Sequence, residues 1–352
     1  MPTEKKPDLS ASEIEALLAE IRAVGFPLVG VVDLDLAEAV FAEHSAYYAE
    51  WIAAGYQGDM GYLVRGAERR GNPRLVFPTA KSVLVAAIPY RRNRDSDPDS
   101  KSLSGLNTEP QYARYLEGPD YHTHLPELLK TALEKWKAEN FASTCKKSAP
   151  TLEAAALPHW KICVDTSAVL EKSWAAITGI GWIGKNTLLI HPQLGSYLFL
   201  AVVLLDQSTG RAPVLLPNYC GNCTRCLTAC PTAAFAGPGL LDSRKCISYL
   251  TLEKRGPWSP ETESLSPLMG TWIAGCDVCQ EVCPYNSKPI KLPETWPAAA
   301  RDSALVSDWN VLSAEDETTY RERSKPSALS RIKYSDMQRN IQNAKANLDR
   351  KI

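Results

Sequence analysis

A run of four closely spaced cysteines constrains this chain more than any other feature. The run has the spacing C-x2-C-x2-C-x3-C-P and consists of Cys220, Cys223, Cys226 and Cys230, followed by Pro231. Cys276, Cys279 and Cys283 before Pro284 repeat it without its first cysteine, and Cys246 lies upstream to complete the second set. This spacing is typical of bacterial proteins that hold two [4Fe–4S] clusters on cysteine thiolates. The sequence therefore predicts a fold built around two such clusters.

The order of the cysteines also predicts which four bind each cluster. In two-cluster proteins with this run, the fourth cysteine binds the other cluster. The resulting first cysteine group is Cys220, Cys223, Cys226 and Cys283, and the second cysteine group is Cys230, Cys246, Cys276 and Cys279. The alternative is a pair of zinc sites, because C-x2-C pairs also bind zinc. A zinc site needs neither a third cysteine at this spacing nor a following Cys-Pro, so the sequence favours iron–sulfur clusters.

The remaining composition is that of an ordinary globular protein. The chain has 352 residues, 45% of them hydrophobic, with 39 basic and 40 acidic side chains, which allows two or three domains. The net charge of −1 excludes a global attraction to polyanions. No signal peptide or membrane-length apolar run is recognisable, so we expect a cytoplasmic protein with reduced thiols. Cys145 and Cys163 belong to neither cysteine group and are expected to be buried apolar side chains.

Hydrophobic patterning divides the chain into three predicted parts. Residues 1–208 alternate between helices and strands, which indicates an α/β or α+β domain around a central sheet. Residues 209–295 contain both cysteine groups and are predicted to form a ferredoxin-like domain. Residues 296–352 are predicted to be a connector followed by a short helical segment.

Within the first part, local signals predict individual elements. An opening helix should be capped by Ser10 or Ser12. Apolar runs predict strands at residues 27–32, 82–90, 161–165 and 198–205. The third strand is expected to lead into a helix that contains Val169, Leu170 and Trp174.

Several segments resemble the epoxyqueuosine reductase family, in the family's order and over nearly the whole chain. They are GDMGYLVR (58–65), VDTSAVLEKSWAAITGIGWIGKNTLLI (164–190), CGNCTRCLTACPTAAF (220–235), GCDVCQEVCPYN (275–286) and RIKYSDMQRN (331–340). The resemblance implies an α+β protein with a nitroreductase-like α/β domain that binds cobalamin, followed by the two-cluster ferredoxin-like domain. It also implies the activity, which is reduction of the epoxide of epoxyqueuosine at the wobble position of tRNA, the last step of queuosine biosynthesis.

The chemistry of such a reduction identifies Asp165 as a candidate proton donor. Conversion of an epoxide to an alkene consumes two electrons and expels the oxygen as water, so an acid must protonate that oxygen. A carboxylic acid can do so if an apolar pocket raises its pKa. Asp165 lies between a predicted strand and a predicted helix, where α/β sheets place reactive groups. The local sequence alone favours a helix N-cap, whereas the resemblance implies the proton donor.

The resemblance further implies a set of cobalamin contacts. They are Arg65, Asp165, Gly184, Lys185, Asn186 and Ser196. Glycines permit close approach of the backbone to a flat ligand, although the same residues would also suit a tight turn with a solvated lysine. Arg65 would otherwise be an ordinary surface arginine. His122, which follows a tyrosine, is expected to be structural, and we assign it no role.

The C-terminal residues predict where RNA would bind. Residues 320–352 contain nine basic and three acidic side chains, a local net charge of +6 in a nearly neutral protein. We expect this segment to contact the anticodon stem-loop of a tRNA that carries epoxyqueuosine, although a solvated helical face would have the same composition. An external low-potential electron donor and a monomeric state are also expected.

Two other function classes remain open from the sequence. One is a cobalamin-dependent reductive dehalogenase, although such enzymes commonly carry a twin-arginine export signal that is not recognisable here. The other is a ferredoxin-type electron-transfer protein with an attached binding domain.

Overall fold

The computed structural model describes residues 8–91, 108–147, 157–288, 290, 292–293 and 305–350. The strands are β1 (Leu28–Asp33), β2 (Ser82–Pro89), β3 (Gln111–Tyr112), β4 (Trp160–Cys163), β5 (Trp182–Ile183), β6 (Leu189–Ile190), β7 (Leu198–Leu205), β8 (Phe235–Gly237), β9 (Leu240–Leu241) and β10 (Trp272–Ala274). The helices are α1 (Ala11–Ala23), α2 (Leu34–Ala53), α3 (Gly61–Arg65), α4 (Ala67–Gly71), α5 (Tyr121–Lys147), α6 (Glu171–Ile177), α7 (Arg225–Ala229), α8 (Ile247–Leu252), α9 (Pro260–Leu265), α10 (Val278–Glu281), α11 (Trp309–Ala314), α12 (Glu317–Ser324) and α13 (Tyr334–Asp349).

A four-stranded antiparallel sheet in the order β1-β2-β7-β4 organises the N-terminal part. Every residue of the central strand β2 is buried, because helices cover both faces of the sheet. Leu84, Ala86 and Ile88 belong to the core with α1 and α5, whereas the alternate residues belong to the core with α2 and α6. This period of two explains why a strand covered on both faces has a continuous apolar sequence.

Most of the predicted elements of this part are confirmed. Ser10 caps α1 in a reciprocal capping box with Glu13, and strands occupy the predicted apolar runs. Cys163 is fully buried, as predicted, whereas the side chain of Cys145 lies outside the part of the structure that is described. The polar stretch that follows Tyr90 contains Pro, Gly and Ser, which predicts an exposed loop, and it falls largely on undescribed residues.

Two expectations about the strand and helix around Asp165 are wrong. The helix begins only at Glu171, so Val169 and Leu170 precede it. The sheet is antiparallel, and β4 is its edge strand. The rule that reactive groups follow the strands of parallel α/β sheets therefore does not explain the position of Asp165.

A short parallel pair joins the N-terminal part to the cysteine-rich part. Strand β10 pairs with β3, so that residues just after β3 approach the segment that carries Cys276 and Cys279. The C-terminal helix α13 packs on β10, where Asn340 Nδ2 donates hydrogen bonds to the carbonyls of Thr251 and Ile273 at 2.8 and 2.9 Å. The cysteine-rich and C-terminal segments consequently share one apolar core. Within the described residues, every helix is too short or too polar to cross a bilayer.

Candidate functional site

A cavity of about 880 Å³ lies where the N-terminal, cysteine-rich and C-terminal parts meet. This volume is near the upper end of the range for small-molecule sites. One wall is aromatic and consists mainly of Tyr47, Tyr48, Trp51 and Tyr62. The other walls are the connection from β4 to α6, helix α8, and C-terminal residues around Arg331. The cavity can therefore hold a large, flat, partly apolar molecule.

Asp165 lies in this cavity in an unusual backbone conformation. Its φ is 54°, in the left-handed region that few residues other than glycine adopt. The backbone N–H of Thr166 donates a hydrogen bond to the carbonyl of Val164, which closes a tight turn around Asp165. Leu170, and not Asp165, occupies the N-cap position of α6. The strained turn therefore aims the carboxylate into the cavity and does not cap a helix.

His122 connects Asp165 to a second carboxylate. His122 Nε2 lies 2.9 Å from Asp165 Oδ2, and His122 Nδ1 lies 2.5 Å from Asp120 Oδ1. The side chain of His122 is 6% exposed and lies under the ring of Tyr121 at 3.9 Å between ring centroids. Carboxylates only accept hydrogen bonds, so both ring nitrogens donate when the imidazole is protonated. Asp120, His122 and Asp165 therefore form a chain that can store a proton beside the cavity.

The protonation of His122 follows from this arrangement. Burial lowers the pKa of His122, but the hydrogen bonds to Asp120 and Asp165 outweigh this effect, and its pKa is raised above the usual value. The Asp165 side chain, in contrast, is 56% exposed. The structure therefore leaves Asp165 partly open to solvent and does not enclose it in the apolar pocket expected from the sequence. The assumption that His122 has only a structural role missed this contact.

Glu171 is a second carboxyl group in the wall of the cavity. Burial, together with the nearby charge of Asp165, raises the pKa of Glu171 to about 8. Within the described residues, its buried Oε1 atom has no hydrogen-bond partner. Glu171 is therefore mostly protonated at neutral pH and adds little negative charge next to Asp165.

The cysteine thiols are brought together in two clusters of side chains. Burial raises the pKa of the Cys226 thiol, and neighbouring Cys220 and Cys283 raise it further. Cys283 in turn is influenced by Cys220 and Cys223. None of the nine cysteines whose side chains are described forms a disulfide. The four thiols of the first cysteine group are thus neighbours, although Cys283 is distant from the others in sequence.

The second cysteine group is also assembled in space. Burial raises the pKa of Cys276 and of Cys279, and the nearby thiol of Cys246 raises both pKa values further. Cys230 lies close to Cys246 and Cys279. Within the described ranges, no three His, Cys, Asp or Glu side chains converge on one metal-ion position; a [4Fe–4S] cluster instead uses four thiolates distributed around four iron atoms. In this grouping, the last cysteine of each run, Cys230 or Cys283, lies with the cysteines of the other run, as expected for two clusters.

The two cysteine groups differ in their distance from the cavity. Ser243 and Ser248, on either side of Cys246, line the cavity that contains Asp165. The first group lines a separate opening of about 280 Å³ on the protein surface. The second group is therefore the inner one, and the first group faces the solvent.

Five of the six residues implied as cobalamin contacts lie elsewhere, and the structure brings only Asp165 into the cavity. Lys185 and Asn186 line the opening beside the first cysteine group, where Lys185 Nζ donates to the carbonyls of Gly221 and Cys223 at 2.6 and 3.0 Å. Ser196 is buried, and its hydroxyl donates to Gln280 Oε1 at 2.9 Å. A side chain at Gly184 would contact the side chains of Ile190 and Asn186 closely, so local packing is one reason for that glycine.

An arginine of the following helix lines the cavity, whereas the implied Arg65 does not. Arg65 is exposed and does not line the cavity, whereas Arg70 is 8% exposed and does. Sequence reasoning missed Arg70 because both arginines lie in the same polar stretch, and only the packing of α4 on α2 turns one of them inward.

Several basic side chains of the C-terminal segment are engaged in contacts within the protein. Arg323, with a side chain 10% exposed, donates two hydrogen bonds to Glu315 at 2.6 and 2.7 Å. Arg339 lies over the ring of Trp258 at 4.9 Å and donates to backbone carbonyls of the α8 region. Lys325, Arg331 and Lys333 are exposed, and Arg331 lines the cavity. Several basic side chains of the segment are therefore committed to internal contacts, and Arg331 is an exposed one that lines the cavity.

Comparisons with known proteins agree with this geometry. Residues 70–166 match the family model described as "Epoxyqueuosine reductase QueG, DUF1730", and residues 219–286 match "4Fe-4S double cluster binding domain". An epoxyqueuosine reductase of Synechococcus sp. (strain RCC307) is 36% identical over 93% of this chain and 92% of its own length.

Solved structures are also similar. A crystal structure of epoxyqueuosine reductase with a tRNA-Tyr epoxyqueuosine-modified tRNA stem loop is 27% identical, with a TM-score of 0.73 over 96% of this chain and 82% of that one. A structure of epoxyqueuosine reductase from Bacillus subtilis, whose aspartate catalytic loop is swung out of the active site, is 26% identical, with a TM-score of 0.74 over the same shares.

Proposed function

Because this chain belongs to the epoxyqueuosine reductase family, we propose that it reduces epoxyqueuosine to queuosine in the anticodon stem-loop of tRNA. One epoxide, two electrons and two protons give one alkene and one water. The observation that carries the proposal is the position of the Asp120–His122–Asp165 chain, which ends in a cavity lined by Ser243 and Ser248 on either side of Cys246. A proton source and an electron source thus meet at one place.

The double cluster binding domain supplies the electron route. We assign one [4Fe–4S] cluster to the first cysteine group and the other to the second. Burial raises the pKa of the inner thiols, so they bind as thiolates only when iron compensates their charge. Electrons from an external low-potential donor would pass from the solvent-facing cluster to the inner cluster beside Cys246.

Cobalamin is the cofactor we propose for the cavity. The large volume and the aromatic wall fit a flat macrocycle, with Tyr47, Trp51 and Tyr62 as its contacts. Cobalamin, when bound, supplies a reduced cobalt that reacts with carbon. The contacts implied for Arg65, Gly184, Lys185, Asn186 and Ser196 remain predictions, since these residues lie outside the cavity lining.

Three residues, Asp120, His122 and Asp165, transfer the protons that the reaction consumes. Asp165 donates a proton to the oxygen that leaves carbon, and His122 Nε2 then returns a proton to Asp165. Asp120 fixes the orientation of the imidazole and stabilises its positive charge. The exposure of Asp165 allows solvent to reload the chain after each turnover.

The modified base must leave its stack to reach this cavity. We propose that three exposed cations, Lys325, Arg331 and Lys333, hold phosphates of the anticodon loop while the base is splayed out; Arg331 also lines the cavity. We expect the enzyme to act as a cytoplasmic monomer.

The test is conversion of the substrate. Protein with both clusters and cobalamin, supplied anaerobically with a chemical reductant, should convert tRNA that carries epoxyqueuosine into tRNA that carries queuosine, measured by mass spectrometry of the nucleosides. Protein treated to remove its iron is the matched control. Unchanged epoxyqueuosine with the loaded protein would contradict the proposal.

Replacement of His122 by Gln is expected to change the pH dependence of turnover. Because the pKa of His122 is raised, its charge persists above the usual pH and is lost as pH rises through that raised pKa. Wild-type kcat should fall as pH rises through that raised pKa. His122→Gln should lower kcat by about 10- to 100-fold, leave KM for tRNA nearly unchanged, and abolish this fall.

The matched control is His124→Gln, two residues further along α5, because His124 does not line the cavity. It should keep the wild-type kcat and pH profile. A wild-type pH profile in His122→Gln would exclude His122 from the proton path.

A further inference from the structure

The surface around the first cysteine group has a marked excess of positive charge. No Asp or Glu occurs between Asp206 and Asp242 or between Glu281 and Glu294, although the whole chain has a net charge of −1. The first of these stretches contains Arg211 and Arg225, and the second contains Lys288 and Lys291. The segments that carry the outer cysteines are thus basic, in a protein that is neutral overall.

Among the residues that the structure describes, three cations and no acid line the opening beside the first cysteine group. Lys185 is held by carbonyls of the cysteine loop and is part of its framework. Arg225 and Lys288 are exposed, and within the described ranges neither forms an ion pair with a carboxylate. These two charges are therefore available to a molecule that approaches from solution.

Aromatic side chains stand beside these cations. Tyr219 is 48% exposed, and its ring contacts Trp182, which also contacts Tyr285 and donates a hydrogen bond to Cys220 Sγ at 3.5 Å. On the stretch that leads to Tyr219, Val214 and Leu215 are each 56% exposed. Aromatic and apolar groups bordered by cations are typical of a surface that binds a protein.

We propose that the face formed by Tyr219, Arg225 and Lys288, here called the donor face, docks a small acidic electron-carrier protein whose redox centre lies near its surface. The inference rests on the proposed electron route. The first cysteine group is the outer one, since neither its members nor their sequence neighbours line the catalytic cavity. An electron carrier must approach closely to transfer an electron, and complementary charge steers such encounters.

Each encounter transfers one electron. The carrier is oxidised by one electron and the outer cluster is reduced by one, and no bond forms or breaks. Two encounters supply the two electrons that one epoxide consumes. RNA is the less suitable occupant of this face, because the cavity that must receive the modified base has its own cations, Arg255 and Arg331.

The experiment measures reduction of the clusters in the cluster-loaded full-length protein, without tRNA or cobalamin. The probes are a reduced bacterial flavodoxin, which is an acidic protein, and the methyl viologen radical, which is a small cation. Stopped-flow bleaching of the cluster absorbance gives each rate. We expect Arg225→Glu and Lys288→Glu each to slow reduction by flavodoxin about tenfold at low salt and to weaken its salt dependence. The rate with methyl viologen should not fall.

Matched variants separate docking from assembly. Lys130→Glu makes the same charge change on α5, away from the opening, and should behave as wild type. Arg225→Lys should keep most of the flavodoxin rate. Lys288 lies outside the cysteine run, so Lys288→Glu remains informative if Arg225→Glu loses iron.

Three results would overturn the proposal. One is an unchanged flavodoxin rate in both charge-reversed variants. Another is an equal loss of the reduction rate with flavodoxin and with methyl viologen, together with a shifted reduction potential of the outer cluster. This result would mean that the cations set the potential of the cluster and do not dock a carrier. The third is a loss of tRNA affinity with unchanged donor kinetics. Since the readout needs neither tRNA nor cobalamin, failure of epoxide reduction would leave this test intact.

Discussion

Substitution of Asp165 by Asn is expected to lower epoxide reduction by about 10²- to 10⁴-fold. Asn has nearly the same shape and can still accept a hydrogen bond from His122 Nε2, but it cannot donate a proton in place of a carboxylic acid. The oxygen that leaves carbon then lacks the acid that ends the Asp120–His122–Asp165 chain. Single-turnover conversion of epoxyqueuosine, followed by mass spectrometry of the nucleosides, measures the loss.

The binding functions should survive this substitution. The Asp165 side chain is 56% exposed and lies outside both cysteine groups, so iron content, cobalamin retention and tRNA affinity should remain at wild-type levels. Asp35→Asn is the matched control, because Asp35 is 74% exposed, pairs with Arg74 and, like Arg74, does not line the cavity. Turnover close to wild type in Asp165→Asn would remove Asp165 from the role of proton donor.

This substitution also affects the pKa of His122. The hydrogen bond to Asp165 is one of two that raise this pKa. With a neutral Asn as acceptor, the pKa of His122 should fall toward its usual value. Any residual activity of Asp165→Asn should therefore decline at a lower pH than wild-type activity does.

The iron–sulfur region was the most predictable part of this chain. Its spacing rules are local, because three cysteines two residues apart must wrap around one cluster whatever surrounds them. The buried strand β2 was also predictable, since a strand covered on both faces has a continuous apolar sequence. These features depend on neighbours in sequence, which a single sequence shows directly.

The proton chain could not be predicted in this way. Asp165 and His122 are 43 residues apart in sequence. Their meeting depends on the position of β4 at the sheet edge and on the β3–β10 pair, which positions the segment before α5. The sequence feature that could have indicated it is Asp120, two residues before His122. Asp120 Oδ1 accepts a hydrogen bond from the backbone N–H of His122 and also contacts Nδ1 of its ring, which fixes the orientation of the ring.

The implied cobalamin contacts other than Asp165 stay predictions, because these residues lie outside the cavity lining. Glycines and small polar residues between Gly184 and Ser196 have the composition of a ligand-binding loop, but tertiary packing uses them elsewhere. Ser196 completes a buried hydrogen-bond network with Gln280 and Asn286. Such a network satisfies buried polar groups, and only the folded structure distinguishes it from a site for a cofactor.

Replacement of Cys246 by Ser should have the second large effect. Cys246 is the one predicted ligand outside both cysteine runs, and it was assigned only because four thiolates are needed. It begins α8, whose residues Ser248 and Leu252 line the catalytic cavity. Loss of the inner cluster would therefore break the electron route at its last step before the cavity. Iron should fall from about eight to about four atoms per chain, and turnover should fall by roughly 10³-fold or more.

Cys163→Ser is the matched control for this substitution. Cys163 is fully buried beside Trp174 in the sheet core and belongs to neither cysteine group. Its replacement should cost about 1–3 kcal/mol of stability by burying a hydroxyl, but it should leave iron content unchanged.

Full iron content and two intact cluster signals by electron paramagnetic resonance in Cys246→Ser would contradict the assignment of Cys246 as a cluster ligand. Stoichiometric zinc without iron in the wild-type protein would contradict both clusters. A loss of iron in Cys246→Ser alone would tie the inner cluster to the helix that lines the cavity, and so connect electron delivery to the site of proton transfer.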